Sequence, residues 1–358
     1  MLYDSSMKII NNPTLKNKIN ELLGNNNINI NIADMLNMAF NYTDIINPNE
    51  FDSSLDEKDN IINQLYDFYQ LDRNNEDNQV VINEYIRNNI KCLETKDYLD
   101  NPYVKTIKAT GKYNGYALKM INYEPYQLFP YDEIKVTKDF KEYSQIGYFK
   151  KPFSYLALTQ GNNIWMSLNP NEIETMKPFI ARGKGNVLVL GLGMGYVPFM
   201  LANKSEVKSI TIVEKDQNII DLFNKLLFPS FINKNKIKII KDDAINYVNK
   251  NHKYDYIFAD LWHNPEDGLD LFIKLKKADM RIDCWLDVSL FAMLRRCMMT
   301  LIEETINGNK EEDYKHARNV TDKVINKYYF NTKNLVINNE DDLIKLLSDK
   351  SLIELIIK

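Results

Sequence analysis

The chain has little with which to build a covalent framework or a metal centre. Its 358 residues include three cysteines, Cys92, Cys284 and Cys297, and three histidines, His252, His263 and His316. The thiols are too few and too scattered for a disulfide scaffold or a thiolate metal site. His252 and His316 have no partner at ligand spacing, so no metal is expected. A basic excess is also missing: charged residues make up 26% and the formal net charge is −4. Without one, nothing domain-wide neutralises a phosphate backbone, which disfavours duplex DNA or long RNA as a partner. No apolar run approaches the roughly 18–20 residues that span a bilayer. Residues 1–18 hold no apolar signal core. The expectation is a cytoplasmic protein in a reducing setting, with no membrane attachment.

Residues 1–102 are rich in Asn, Asp, Ile and Leu. Leu22 with Leu23, and Ile61 and Ile62 with Leu65, give helical stripes, while the Asn-rich stretches 25–27 and 74–78 read as loops. This region is expected to be helical, either capping an active site or joining a homodimer. Residues 103–168 change texture. Tyr113, Tyr116, Tyr123, Tyr126, Tyr131, Tyr143, Tyr148 and Tyr155 fall among short alternating segments such as 134–137 and 154–159. Turn signals at Gly115 and Gly161-Asn162-Asn163 separate them. A small antiparallel sheet is expected, its tyrosines serving as sheet faces with polar tips.

Asn169-Pro170-Asn171-Glu172 then reads as a helix start, with Asn as N-cap and Pro at the first helical position. From residue 187 strands and helices alternate. The strands are placed at 187–190, 210–213, 237–240 and 254–259, and the helices at 196–201, 218–227, 244–248 and 269–276. Continuously apolar strands in such an alternation imply a Rossmann-like α/β fold, a parallel sheet flanked by helices. Its ligands collect at the carboxyl ends of the strands. This domain is assigned to residues 169–306, with a fifth strand expected within 284–290 leading into a long helix. Residues 307–358 read as mostly helical, with a short strand near 335–337.

The chemistry sits at those strand ends. Gly191-Leu192-Gly193-Met194-Gly195 follows the first strand. Its Gly-x-Gly-x-Gly spacing differs from a dinucleotide fingerprint, whose third glycine would fall at Tyr196. The spacing is that of S-adenosylmethionine (SAM) enzymes. Glycines let a backbone approach a ligand, and the following helix N-terminus offers amides to the methionine carboxylate. Glu214, with Lys215 after it, ends the second strand, where a carboxylate accepts from both ribose hydroxyls. Asp243, followed by Ala244, ends the third. It suits the adenine amine, and it could serve as a helix N-cap at the same time. Asp260 ends the fourth strand, near the reacting centre.

Residues 165–276 resemble a class I SAM-dependent methyltransferase, and within that superfamily they are most similar to the spermidine-synthase-like branch. Asn171-Glu172 resembles the branch's Asp-Glu pair, Asp243-Ala244 its Asp-Ala, and Asp260 the aspartate after its fourth strand. The β-rich segment ahead of the nucleotide fold is similar to its amino-terminal sheet. Two departures stand out. The branch carries an acid in the glycine loop, where this chain has Leu192 and Met194. It also reads Asp-Ser-Ser-Asp-Pro where this chain has Asp260-Leu261-Trp262-His263-Asn264-Pro265, so the second acid is missing.

The resulting expectation is methyl transfer from SAM to a small-molecule acceptor, releasing S-adenosylhomocysteine. Asp260 and His263 face the acceptor in this reading, with His263 as base and Asp260 as alternative base or orienting partner. A solvent-facing loop histidine is the alternative for His263. Trp262 either walls the acceptor pocket or packs under the loop, and Trp165 and Met166 either cover the cofactor or join the core. An aminopropyltransferase using decarboxylated SAM is the second reading, and a non-catalytic SAM-binding protein the third.

Overall fold

The computed structural model describes residues 7–250, 253–309 and 311–358. His252 lies outside them, as do the first six residues of the stretch read for a signal core. Five parallel strands form the central sheet: β1 Gly185–Leu190, β2 Val207–Glu214, β3 Ile237–Lys241, β4 Tyr256–Ala259 and β5 Asp283–Cys284. Their spatial order is β3-β2-β1-β4-β5. Chain order reverses between β1 and β4, which opens a crevice at their carboxyl ends. Val187, Leu188, Val189 and Leu190 are all buried because helices cover both faces. Each such side chain contributes roughly 2 kcal/mol through removal from water.

The fifth strand is shorter than expected. β5 stops at Cys284, Leu286 adopts a left-handed φ of 57°, and the helix Asp287–Ile306 begins at once. Leu286 supplies no side-chain cap. Instead Glu133, from a distant strand, accepts a hydrogen bond from Ser289 N–H at 2.8 Å. Burial pushes the Glu133 carboxyl up to about 7.

The amino-terminal region corrects two expectations. Asn25–Asn27 is not a loop but lies within the 28-residue helix Pro13–Phe40. Asparagine is a weak helix former, and tertiary contacts override that preference. Asn25 donates to the carbonyl of Asp139 at 3.0 Å, and Asn29 to that of Phe140 at 2.8 Å. The β-rich region holds two sheets rather than one. Gly111–Tyr113, Tyr116–Tyr123, Phe153–Gln160 and Asn163–Ser167 form an antiparallel four-stranded sheet. Phe129–Val136 and Glu142–Tyr148 form the second sheet with Ile90–Cys92, a strand from the region read as helical.

Several tyrosines of the four-stranded sheet tie it to the nucleotide fold. The Tyr116 hydroxyl donates to Asp216 at 2.8 Å, and that of Tyr113 to Asp221 at 3.3 Å, both just beyond β2. Near the carboxyl end, Val336–Ile337 pairs in parallel with Lys8–Ile9. No helix among the described residues is long and apolar enough to cross a membrane.

Glu142 and Arg296 join the three-stranded sheet to the long helix through an ion pair whose carboxylate is buried. Removing one member leaves its charged partner under-solvated. Glu142→Gln is expected to cost about 2 kcal/mol, measured as a lower urea midpoint at unchanged slope. An unchanged midpoint would show that the pair contributes nothing.

Candidate functional site

The glycine loop is pressed against the end of β4. Gly191 has φ 98°, and a Cβ there would lie 2.0 Å from the Asp260 carbonyl oxygen. Gly193 is packed just as closely under the Met166 sulfur, and Gly195 under the Phe223 ring. All three glycines have left-handed φ angles that disfavour any side chain. The loop therefore crosses directly over Asp260.

Three of the loop amides are engaged within the protein. Leu192 N–H donates to Glu214 Oε2 at 3.1 Å, Met194 N–H to Met166 Sδ at 3.2 Å, and Gly195 N–H to the Leu192 carbonyl at 2.8 Å. Glu214 is thereby held at the end of β2, its other oxygen accepting from Asp216 N–H at 2.8 Å. Each carboxylate oxygen retains a lone pair for a ligand hydroxyl. Lys215 points to solvent.

Beyond β3, Asp243 is the N-cap of the helix Ala244–Val248, accepting from Asn246 N–H at 3.0 Å, and it remains exposed beside the buried Ala244. Its neighbour Asp242 is committed to Lys250, whose ammonium holds the carboxyl below its usual range.

Beneath the loop lies a small cavity of about 20 Å³, lined in part by Met166, Glu172, Gly191, Met194, Tyr196 and Asp260. Burial, and then the charge of Glu214, pushes the Asp260 carboxyl up to about 7. Burial, and then the charge of Asp260, pushes Glu172 well above the usual carboxylate range. Neither side chain has a hydrogen-bond partner among the described residues, and no lysine, arginine or histidine pairs with them. Tyr196, which shares the cavity wall, is fixed from behind by Asn101 at 3.0 Å.

His263 does not join this group. Its Nδ1 pairs with Asp267 at 2.8 Å, not with Asp260, and the side chain is exposed outside the cavity. Asp267 also closes the capping box of the helix Pro265–Ala278 with Asn264. The histidine is drawn to the helix start for that reason. Trp262 packs under the loop rather than walling a pocket. It is buried against Gly268, and its Nε1–H donates to the Trp285 carbonyl at 3.2 Å. Trp165 is partly exposed, edge-on to His263 at 5.1 Å and to Tyr116 at 6.0 Å. Together these three rings line up from the end of β4 to the end of β2. Glu172 is the residue that sequence reasoning did not place in the site. Its signal was the likeness of Asn171-Glu172 to an Asp-Glu pair, set aside in favour of helix capping.

Part of the chain is similar to known proteins. Residues 172–324 match the model of the spermine/spermidine synthase domain. Over 93 residues the chain is 37% identical to the polyamine aminopropyltransferase of Buchnera aphidicola subsp. Schizaphis graminum, covering 25% of this chain and 32% of that one. Over 108 residues it is 34% identical to the polyamine aminopropyltransferase of Buchnera aphidicola subsp. Acyrthosiphon pisum, covering 28% and 37%. The chain thus spans about a third of the length of the curated relatives it matches. The solved spermidine synthase of Thermotoga maritima shares 16% identity over 40% of this chain and 55% of its own, at a TM-score of 0.29.

The expectation of a methyltransferase is overturned by these matches. The matching domain and the curated relatives carry the names of aminopropyl-transferring enzymes, the reaction read as second. The loop acid and the second acid missing here are local departures inside a matching domain.

Two substitutions check the site. Gly191→Ala forces a methyl group onto the Asp260 carbonyl and is expected to abolish nucleoside binding while lowering the melting temperature. Binding at wild-type strength would show that the loop does not cross the ligand. Glu214→Ala should weaken 5′-methylthioadenosine at least about tenfold in calorimetric titration. Unchanged affinity would remove Glu214 from the site.

Proposed function

We propose that this chain transfers the aminopropyl group of decarboxylated SAM to a primary amine of a small aliphatic acceptor. The observation that carries the reading is electrostatic. Asp260 lies within reach of the charges of both Glu172 and Glu214 around the loop, with no cation paired to them among the described residues. Clustered, half-buried carboxylates without counter-charges disfavour one another's ionisation. A ligand bearing both a sulfonium and an ammonium supplies that charge. SAM itself also carries a carboxylate, which the acids would repel, and three of the loop amides are already engaged.

In this reading Glu214 holds the ribose hydroxyls, Asp243 accepts from the adenine amine, and the glycine loop lies against the chain between nucleoside and sulfur. The donor brings an activated carbon next to its sulfonium. The acceptor nitrogen forms a bond to that carbon, the carbon–sulfur bond breaks, and its electron pair stays on sulfur as the thioether of 5′-methylthioadenosine. The amine must lose a proton to attack. Asp260, a half-buried carboxylate at the end of β4 pushed up to about 7, is suited to receive it. Trp262 and Trp285, both buried beyond β4 and β5, help to exclude water from this end of the sheet. Asp267 cannot act as a second acceptor-binding acid without giving up its helix cap and His263.

Incubation with decarboxylated SAM and a panel of aliphatic diamines is expected to yield 5′-methylthioadenosine and an aminopropylated amine, measured by mass spectrometry. Absence of both products with every acceptor would overturn the proposal. The rate should also report Asp260. The carboxylate form is the base and gains population as pH rises through about 7. The kcat/KM for the donor therefore increases across that window, and Asp260→Asn loses about 10²- to 10⁴-fold. A rate that falls with rising pH there, or an active Asp260→Asn, would assign the proton elsewhere.

A further inference from the structure

We infer that Glu172 grips the primary ammonium of the donor, filling the place left by the acid that the glycine loop lacks. The inference rests on decarboxylated SAM being the donor. Leu192 and Met194, the loop residues standing where an acid is expected, are apolar and buried, and both line the cavity. The loop therefore presents no anion. Glu172 enters the same cavity from the first turn of the helix Pro170–Arg182.

Its position within that helix sharpens the case. Glu172 is the third helical residue, and its N–H donates to the N-cap Asn169 at 3.0 Å. An acid at this position ordinarily turns back to accept from the N-cap backbone, closing a capping box. Asp267 does so at the equivalent position of the helix Pro265–Ala278. Glu172 does not: its carboxylate reaches into the cavity near Asp260 and accepts no hydrogen bond. A carboxylate in a cavity wall that forgoes its local partner is open to a ligand. Two facing carboxylates and no protein cation describe a receptor for one ammonium, which can donate to both. Asp260 then has two successive neighbours, the donor ammonium held by Glu172 and the incoming amine.

The test compares two ligands that differ in the aminopropyl group, using calorimetric titration of the full chain. Decarboxylated SAM carries the ammonium, whereas 5′-methylthioadenosine has the same nucleoside and sulfur without it. Glu172→Gln is expected to weaken decarboxylated SAM at least tenfold (an order-of-magnitude figure) and to leave 5′-methylthioadenosine unchanged. Glu172→Asp, which keeps the charge on a shorter arm, should fall between wild type and Glu172→Gln for the first ligand only. Equal weakening of both ligands would show a structural role and overturn the inference, as would no weakening of either. A wild-type chain that binds 5′-methylthioadenosine yet shows no preference for decarboxylated SAM over SAM would sink the donor reading itself, and this inference with it.

Discussion

The contact between Gly191 and the carbonyl of Asp260 is the constraint on which the site depends. Because β1 and β4 are neighbours at the point where strand order reverses, their carboxyl ends emerge side by side. Only a residue without Cβ, at a left-handed φ, lets the loop after β1 lie across the end of β4. That crossing roofs the cavity and brings the Asp260 carboxylate under the loop. Leu192 N–H then reaches Glu214, so the ends of β2, β1 and β4 are tied into one layer. The antiparallel sheet is fastened to the same layer by Tyr116 and Asp216.

The electrostatic consequence follows from that packing. Carboxylates brought together and desolvated resist ionisation, which is why Asp260 and Glu172 are pushed upward. A structural ion-pair network would include lysine or arginine, as at Glu142 with Arg296 and Arg295 with Asp349. Around the loop the acids are left without such partners. This contrast within one molecule sets the acids around the loop apart from the stabilising networks and is what the proposal of a cationic ligand rests on. On the proposed reading, the negative charge that Leu192 and Met194 do not supply comes from the helix side of the cavity instead.

Much of the nucleotide fold was legible in the sequence because its strands are buried on both faces and read as continuous apolar runs. The placement of the loop, Glu214 and Asp243 at the strand ends was legible from spacing alone. What was hidden depended on partners remote in sequence. Asn25 and Asn29 look like loop residues until the backbone of Asp139 and Phe140 is placed beside them. His263 looked like a base beside Asp260, but the helix cap formed by Asn264 and Asp267 captures it first. Glu172 has the spacing of a capping residue, and nothing local reveals that its side chain turns inward. The acceptor chemistry was misread for the same reason. The acids were sought at the positions where the related branch keeps them, and Glu172, the acid proposed to compensate, lies on a different element.

The central claim is that the ligand's positive charge completes this cluster of acids, and proton release on binding tests it most directly. Calorimetry near pH 7, repeated in buffers of different ionisation enthalpy, counts protons exchanged per ligand. Decarboxylated SAM should expel on the order of one proton as its cation drives Asp260 and Glu172 to their charged forms. 5′-Methylthioadenosine, which is neutral, should expel none. Binding of decarboxylated SAM without proton release, or identical release by both ligands, would contradict the account.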